Sequence, residues 1–266
     1  MATISGAERG REILRILEEQ QRISVEDIAR RFQVSWVTAR HDLTLLAKQG
    51  LLVRSRGGAI VAKAGTADPD LDFDIRIRLQ ADEKASIARA AAKLVGNGEV
   101  IALDASSTAF YLAMELSNHR ELVVVTNGLR TAIALLRKPH ITVILPGGVL
   151  RSEAVSLVGE LGEDILKRTR IQKGFFSGRG LTPDDGLMDL SPEETRLKRA
   201  MVGACSEVIA LVDHTKWQRG ALLSVASPKQ ISTVVTDWKT PKGLIEAWRS
   251  RGTKVIVGEE SSNGAS

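Results

Sequence analysis

The chain has 266 residues, 43% of them hydrophobic and 26% charged, which suits one large domain or a small and a medium one and excludes wholesale disorder. Its single cysteine, Cys205, excludes an internal disulfide and a four-cysteine zinc site, and reads most simply as a small buried apolar side chain. The opening MATISGAERG lacks the basic and apolar regions of a signal peptide, and no apolar run nears the roughly 18 residues of a membrane span, so a cytoplasmic protein is expected.

In chain order, REILRILEEQ places Ile13, Leu14 and Leu17 on one helical stripe. SVEDIARRF starts at Ser24, an N-cap residue type, with Asp27 three positions on where a capping box prefers Glu or Gln; its buried side is Val25, Ile28, Ala29 and Phe32. After a break at Gln33 and Val34, Ser35 offers a cap for a third helix. The inner face of that helix is Ala39, Leu43 and Leu46, and Gly50 is its stop. LLVRSRGGAIVA then reads as a hairpin around Arg-Gly-Gly.

Two helices joined by a tight turn and followed by a hairpin predict a winged helix-turn-helix. With the apolar stripe turned inward, Trp36, Val37, Arg40, His41, Thr44 and Lys48 face outward. Ser35 and the free N–H groups behind it suit a DNA phosphate. Arg40 suits a bidentate pair to guanine, and Trp36 or Val37 a thymine methyl. Arg54 and Arg56 fall at the hairpin. Residues 30–56 hold Arg30, Arg31, Arg40, Lys48, Arg54 and Arg56 against one acid, Asp42. That balance suits a phosphate backbone or, on charge alone, an ordinary solvated face. The competing reading of the whole region is a helical hairpin that binds another protein.

VAKAGTADPDLDFDIRIRLQ has no helical period and reads as a linker or extended arm; DEKASIARAAAKLVGNG is a helix ended by Gly96. From Val100, strand-like runs (VIALD, LVVVTN, ITVILPG, KGFFSGRG, EVIALVD, STVVTD, KVIVG) alternate with helical ones. Short β-branched runs without alternation belong to a parallel sheet covered on both faces, an α/β domain of Rossmann-like character. The expected organisation is a DNA-binding domain at 1–60, a linker at 61–78, an α/β domain at 79–258 and a disordered tail at 259–266.

Parallel sheets bind ligands at the carboxyl ends of their strands. Asp104 ends one strand and leads into Ser106, Ser107 and Thr108, either a phosphate cradle or a set of caps. Asn127 ends another, and Asp213 ends a third with Lys216 close behind. In SPEETRLKRA, Ser191, Pro192 and Glu194 look like capping chemistry, and Glu194 with Lys198 like a helix-surface ion pair. No Walker loop, nucleophile elbow or GxGxxG follows the first strand of this domain, and the four histidines are far apart in sequence. No catalytic residue, metal or cofactor is assigned.

The ordered set VSWVTARHDLTLLAKQGLLVRSRGGA, EKASIARAAAKLV, DASST, VVVTNG, LPGGVLR, SLVG, LVDHTKW and VVTD resembles the DeoR family of bacterial sugar-metabolism regulators over residues 8 to 237. The resemblance implies a winged helix-turn-helix joined to a sensor domain similar to ribose-5-phosphate isomerase and coenzyme A transferases. It also implies a phosphorylated sugar or sugar-like effector. In the family pattern V-S-x-x-T-I-R-R-D-L, Val34, Ser35, Thr38, Arg40, Asp42 and Leu43 match. Ala39 replaces Ile, His41 replaces the second Arg, and Trp36 is unusual at its place. Ser106 and Ser177 stand where glycines are usual, while Asn127, Gly147, Gly148, Arg151, Asp213 and Lys216 match.

The resulting expectation is a sequence-specific DNA-binding regulator, a repressor of a carbohydrate operon working as a homodimer or homotetramer. Its DNA contacts are Ser35, Trp36, Val37, Thr38, Arg40, His41, Thr44, Arg54 and Arg56. Its effector contacts are Asp104, Ser106, Ser107, Thr108, Asn127, Arg151, Asp213 and Lys216. The alternatives are a sugar-phosphate isomerase-like enzyme with an accessory DNA-binding domain, and a nonspecific nucleoid protein.

Overall fold

The chain divides into two units, Met1–Ile75 and Arg76–Ser266. The computed structural model describes residues 6–20, 22–48, 52–55, 57–61, 73–152 and 154–260. In the first unit, α1 (Gly6–Gln20), α2 (Val25–Phe32) and α3 (Trp36–Lys48) bury their apolar stripes against one another: Ile13, Ile16 and Leu17 meet Val25, Ile28, Ala39, Leu43 and Leu46 in one core. Ser24 caps α2 as its sequence suggests. Its Oγ accepts the Asp27 N–H at 2.9 Å and donates to the Asp27 carboxylate at 2.6 Å, so the shorter acid completes the box. Gln33, in the left-handed conformation at φ 51, ends the helix and turns the chain toward α3.

The hairpin consists of β2 (Leu52–Ser55) and β3 (Gly58–Val61). A third strand joins it, β1 (Arg22–Ser24), which sequence reading missed; β3 lies between the other two. Gly58 is required here, because a side chain would run into the Ile23 carbonyl. Gly50 and Arg56 lie outside the described residues, as does most of the expected linker, 62–72. Its last part forms a helical turn, α4 (Phe73–Arg76).

The second unit is built on seven parallel strands in the order β15-β14-β12-β9-β4-β5-β6. They are β4 (Val100–Leu103), β5 (Leu122–Thr126), β6 (Ile141–Ile144), β9 (Ile171–Phe176), β12 (Cys205–Leu211), β14 (Ile231–Thr236) and β15 (Lys254–Val257). These are the seven unalternating runs of the sequence. Neighbouring residues of one strand enter different cores, as burial on both faces demands. Ile101, Leu103, Phe175 and Leu211 pack with α5 (Ala81–Ala92), α6 (Ser107–Glu115) and α7 (Leu129–Leu135). Ala102, Phe176 and Ala210 pack with α8 (Glu160–Leu166), α9 (Pro192–Ala204) and α10 (Lys242–Arg249).

Shorter pieces surround the sheet. β7 (Val149–Arg151) pairs with β8 (Ser156–Val158), and β10 (Gly180–Thr182), β11 (Gly186–Asp189) and β13 (Leu223–Ala226) form a small antiparallel sheet. Helix α5 stops at Ala92, four residues before Gly96, whose N–H donates to Glu99. The expected loose tail begins tied down, since Ser86 Oγ donates to the Glu259 carbonyl at 2.7 Å; residues 261–266 lie outside the described set. Cys205 is half-buried rather than buried, and its thiol donates to the Met201 carbonyl.

Candidate functional site

Two places carry the polar groups that the sequence singles out, one in each unit. In the first, Ser35 caps α3: its Oγ accepts the Thr38 N–H at 3.0 Å and meets the Thr38 hydroxyl at 2.9 Å. The stripe Ala39, Leu43 and Leu46 is buried, so the opposite side is bare: Trp36 is 54% and Val37 77% exposed, and Arg40, His41 and Thr44 are exposed beside them. Large apolar groups left in water on an otherwise cationic helix mark a contact surface. Thr38 is half-buried, and the Thr44 hydroxyl donates back to the Arg40 carbonyl. Leu45, absent from the expected set, is 50% exposed on the same helix.

The one acid of this stretch is not on that surface. Asp42 is buried and takes two bonds from Arg9 of α1, at 2.5 Å from Nε and 3.1 Å from Nη2. That bidentate grip orients α3 on α1 and removes the negative charge from the exposed side. Burial and the charge of Arg40 both lower the pKa of Arg54 on β2, and its Nη1 has no hydrogen-bond partner among the described residues. Two arginines from helix and wing therefore share one field.

In the second unit, the ends of β12, β9, β4 and β5 stand side by side. Asp104, after β4, is fully buried. One carboxylate oxygen accepts the Ser106 N–H at 3.1 Å, and the other accepts the Ser177 N–H at 3.0 Å. Ser106 spends its hydroxyl as the cap of α6, accepting the Ala109 N–H at 3.0 Å, so the capping reading holds for this residue. Its φ of −78° also shows why no glycine is needed there. Ser107 and Thr108 form the first turn behind it. Thr108 is fully buried, and its hydroxyl has no partner among the described residues.

Helix α9 supplies what the sequence reading overlooked. Glu194 and Lys198 are buried, not a surface pair, and each is committed elsewhere. Lys198 lies 3.0 Å from Asp104 and 2.7 Å from Asp189, and donates to the Ser177 carbonyl at 2.9 Å. Burial disfavours its charge, but the carboxylates of Asp104, Asp189 and Glu194 outweigh that and raise its pKa. Burial likewise pushes Asp189 up, and Lys198, together with the Leu190 N–H and the charge of Arg179, more than reverses it. Glu194 accepts from the Ser156 hydroxyl and from Asn127 Nδ2 at 3.4 Å, with Arg151 Nη1 at 3.9 Å. Asn127 Oδ1 is left buried without a partner among the described residues.

Asp213 and Lys216 face one another at 3.9 Å after β12. Asp213 Oδ1 is used by Thr215, while Oδ2 is buried without a hydrogen bond among the described residues. Lys216 donates to the Gly178 carbonyl at 2.8 Å and lies 3.4 Å from the Ser177 hydroxyl. Burial pulls the pKa of Lys216 down, against the charge of Asp213. Nearby, burial pushes Lys84 of α5 to about 7, with the charges of Lys216 and Arg76 adding to the effect and Asp213 and Glu83 opposing it.

Of the eight sequence-predicted sensor residues, Asp104 and Ser106 are bonded directly, and Asn127 and Arg151 meet through Glu194. Asp213 and Lys216 form a pair, while Ser107 and Thr108 line the helix start between them and Asn127. Sequence reading missed Lys84, Arg76, Arg179, Ser177, Asp189, Glu194 and Lys198 as members of this cluster. Arg76, Lys84, Arg151, Arg179, Lys198 and Lys216 stand among Asp104, Asp189, Glu193, Glu194 and Asp213. Glu83 is matched separately by Lys239 at 2.6 Å. The cations of the cluster, of which Lys84 and Lys198 are buried and the rest half-buried, stand beside orphaned oxygens of Thr108, Asn127 and Asp213, chemistry that suits an anionic, hydroxylated molecule.

Comparison with known proteins agrees with both halves. Residues 9–64 match the family model of the DeoR-like helix-turn-helix domain, and residues 79–238 that of the DeoR C-terminal sensor domain. The chain is 36% identical to the HTH-type transcriptional regulator GolR of Listeria innocua, over 95% of this chain and 98% of that one. It is 33% identical to the glycerol-3-phosphate regulon repressor of Escherichia coli K12, over 88% and 92% of the two chains. It is also 33% identical to the L-fucose operon activator of Haemophilus influenzae, over 87% and 92%. Among solved structures, a D-ribose-5-phosphate isomerase in complex with phospho-erythronic acid overlaps half of the chain, with a TM-score of 0.39 and 16% identity over 50% of this chain and 52% of that one. No described helix is long and apolar enough to cross a membrane.

Proposed function

The chain belongs to the DeoR family of transcriptional regulators, and from that premise we propose that it represses a carbohydrate operon and is released from its operator by an anionic, phosphorylated sugar-like metabolite. Recognition is assigned to α3. Arg40 reads a guanine edge, Trp36, Val37 and His41 contact neighbouring bases, and Ser35, Thr38 and Thr44 fix the helix on the backbone. Arg54, joined by Arg56 of the wing, adds sequence-independent grip. The observation that carries this reading is the division of α3 into a fully buried apolar stripe and a bare cationic side from which Asp42 has been withdrawn.

The effector is placed against Ser107 and Thr108 at the α6 start, with Lys216 and Arg151 on its charge and Asn127 on a hydroxyl. Asp104 and Asp213 hold those groups in position, and Ser106 acts as the cap that aims the helix start. The lysines and arginines gathered at these strand ends support an anion. Repression follows the glycerol-3-phosphate regulon repressor of Escherichia coli K12 and a 30% identical relative named a putative aga operon transcriptional repressor, while the L-fucose operon regulator is named an activator. A cytoplasmic homodimer or homotetramer fits paired half-sites, and exposed Leu136, Val149, Leu150 and Leu161 of the sensor unit offer apolar surface for a second copy. The reading is of a regulator and not an enzyme.

Selection of duplexes from a random library by the native chain, repeated with Arg40→Ala, tests the reading helix: the variant is expected to lose base preference at one position of each half-site. A thermal-shift screen of phosphorylated against free sugars tests the sensor, since a ligand that binds only the folded chain raises its melting temperature. Turnover of any phosphorylated hit by the native chain would overturn the regulator reading in favour of an isomerase-like enzyme.

A further inference from the structure

The sensor unit begins at Arg76, and the next few residues form neither strand nor extended helix. Their backbone is nonetheless held carbonyl by carbonyl. The Lys84 ammonium, almost fully buried, donates to the Arg76 carbonyl at 2.5 Å and also to the Leu79 carbonyl. The Tyr111 hydroxyl donates to the Ile77 carbonyl at 3.1 Å, and the Gln80 carbonyl accepts the Lys84 N–H at 2.9 Å. Gln80 itself sits at φ 47, a conformation that side chains other than glycine seldom adopt. Such a stretch keeps its path only because neighbours hold it there.

Both holding side chains reach back to the effector cluster. Tyr111 follows Ser107 by four residues on α6, so the two share one helix face, and whatever seats on Ser107 is one turn from the latch on Ile77. Lys84 lies in the field of Lys216 and Asp213. Arg76 lies in the field of Asp104, Asp189, Glu194 and Arg179, the acids and a base of the same cluster. From Arg76 the chain leads, through α4 and residues 62–72, to the DNA-binding unit.

Resting on the anionic-effector reading above, we propose that Arg76 is a further contact of the effector. We propose with it that the strap Arg76–Gln80, latched by Lys84 and Tyr111, carries effector occupancy from the sensor unit back toward the DNA-binding unit. An anion set among Arg76, Lys84 and Lys216 relieves their mutual repulsion and favours the charged form of each lysine. A fully protonated Lys84 holds two strap carbonyls more firmly than a neutral amine does. The strap is then tighter with effector than without it, which is the difference between states that a ligand must produce to shift DNA affinity.

The experiment uses the full chain and inorganic phosphate as the probe, at constant ionic strength, with calorimetry for binding and hydrogen exchange for the strap. Native protein is expected to bind phosphate and to show slower exchange at the amides of residues 77–81 when it is bound. Arg76→Gln is expected to weaken binding at least tenfold and Arg76→Lys to restore most of it. Tyr111→Phe is expected to bind within a few-fold of native but to lose the phosphate-dependent protection. Absence of phosphate binding by the native chain would overturn the anionic-effector reading and this proposal together. Phosphate binding that Arg76→Gln leaves intact, or a strap equally protected with and without bound phosphate, would overturn this proposal alone.

Discussion

The two units treat positive charge in opposite ways. On α3, Arg40 stands in solvent and the nearest acid, Asp42, is buried against Arg9 on another helix. Around the ends of β4, β9 and β12, Lys198 and Lys84 are withdrawn from solvent, Lys216 is half-buried, and all three lie in the field of carboxylates. An exposed cation meets a partner that stays hydrated until it docks, so its position on the helix decides what it touches. A buried cation must be balanced at all times, and the shortfall in that balance is what a ligand answers. One unit advertises its charge; the other holds it in reserve.

The sharpest way to break this contrast is to strand a buried charge. Lys198→Ala removes the cation that bonds Asp189 and lies 3.0 Å from Asp104, and is expected to destabilise the sensor unit by about 3–5 kcal/mol in denaturant titration. Asp42→Ala is expected to cost the DNA-binding unit a similar amount for the same reason, although it removes the only acid of the basic stretch. If it tightened DNA binding without loss of stability, the acid would belong to the reading surface after all. Arg40→Ala, which strands nothing, is expected to leave stability unchanged and to cost about 1–3 kcal/mol of operator binding with relaxed base preference. Arg54→Ala is expected to weaken all sequences alike. Ser35→Ala removes a cap and is expected to cost about 1 kcal/mol of stability.

A further effect is a slope. Lys84 has a folded pKa near 7 against an ordinary value of 10.5. Between those two pH values the unfolded chain holds the proton that the folded chain has released, so this residue makes stability rise with pH across that window and contributes no slope below it. Native protein is therefore expected to gain melting temperature relative to Lys84→Met as pH rises from 7 toward 10. Saturation with an anion should shift the window upward, and an unshifted window would separate Lys84 from the ligand site.

What could be read from the chain depended on where the partners lay. The winged unit was legible because caps, stripe and turn are local. Ser24 with Asp27, Ser35 with Thr38, and the spacing of Ala39, Leu43 and Leu46 all fall within one or two turns. The seven strands of the large sheet were legible because burial on both faces leaves runs without polar alternation. β1, β7, β8 and β10 were not, since three residues are too few to show a period. Glu194 and Lys198 show the opposite failure: their spacing was visible, but depth was not, and their partners sit at residues 104, 127, 156 and 189. Lys84 drew no assignment in its alanine-rich helix for the same reason.

The single thiol has a practical consequence. Cys205 is bonded to the Met201 carbonyl and burial pushes its pKa up to about 12, so at neutral pH almost none of it is the thiolate that alkylating dyes attack. A cysteine introduced on the outer side of α3 would then take a fluorophore alone, without any need to mutate the native sulfur. The molecule comes prepared for site-selective labelling.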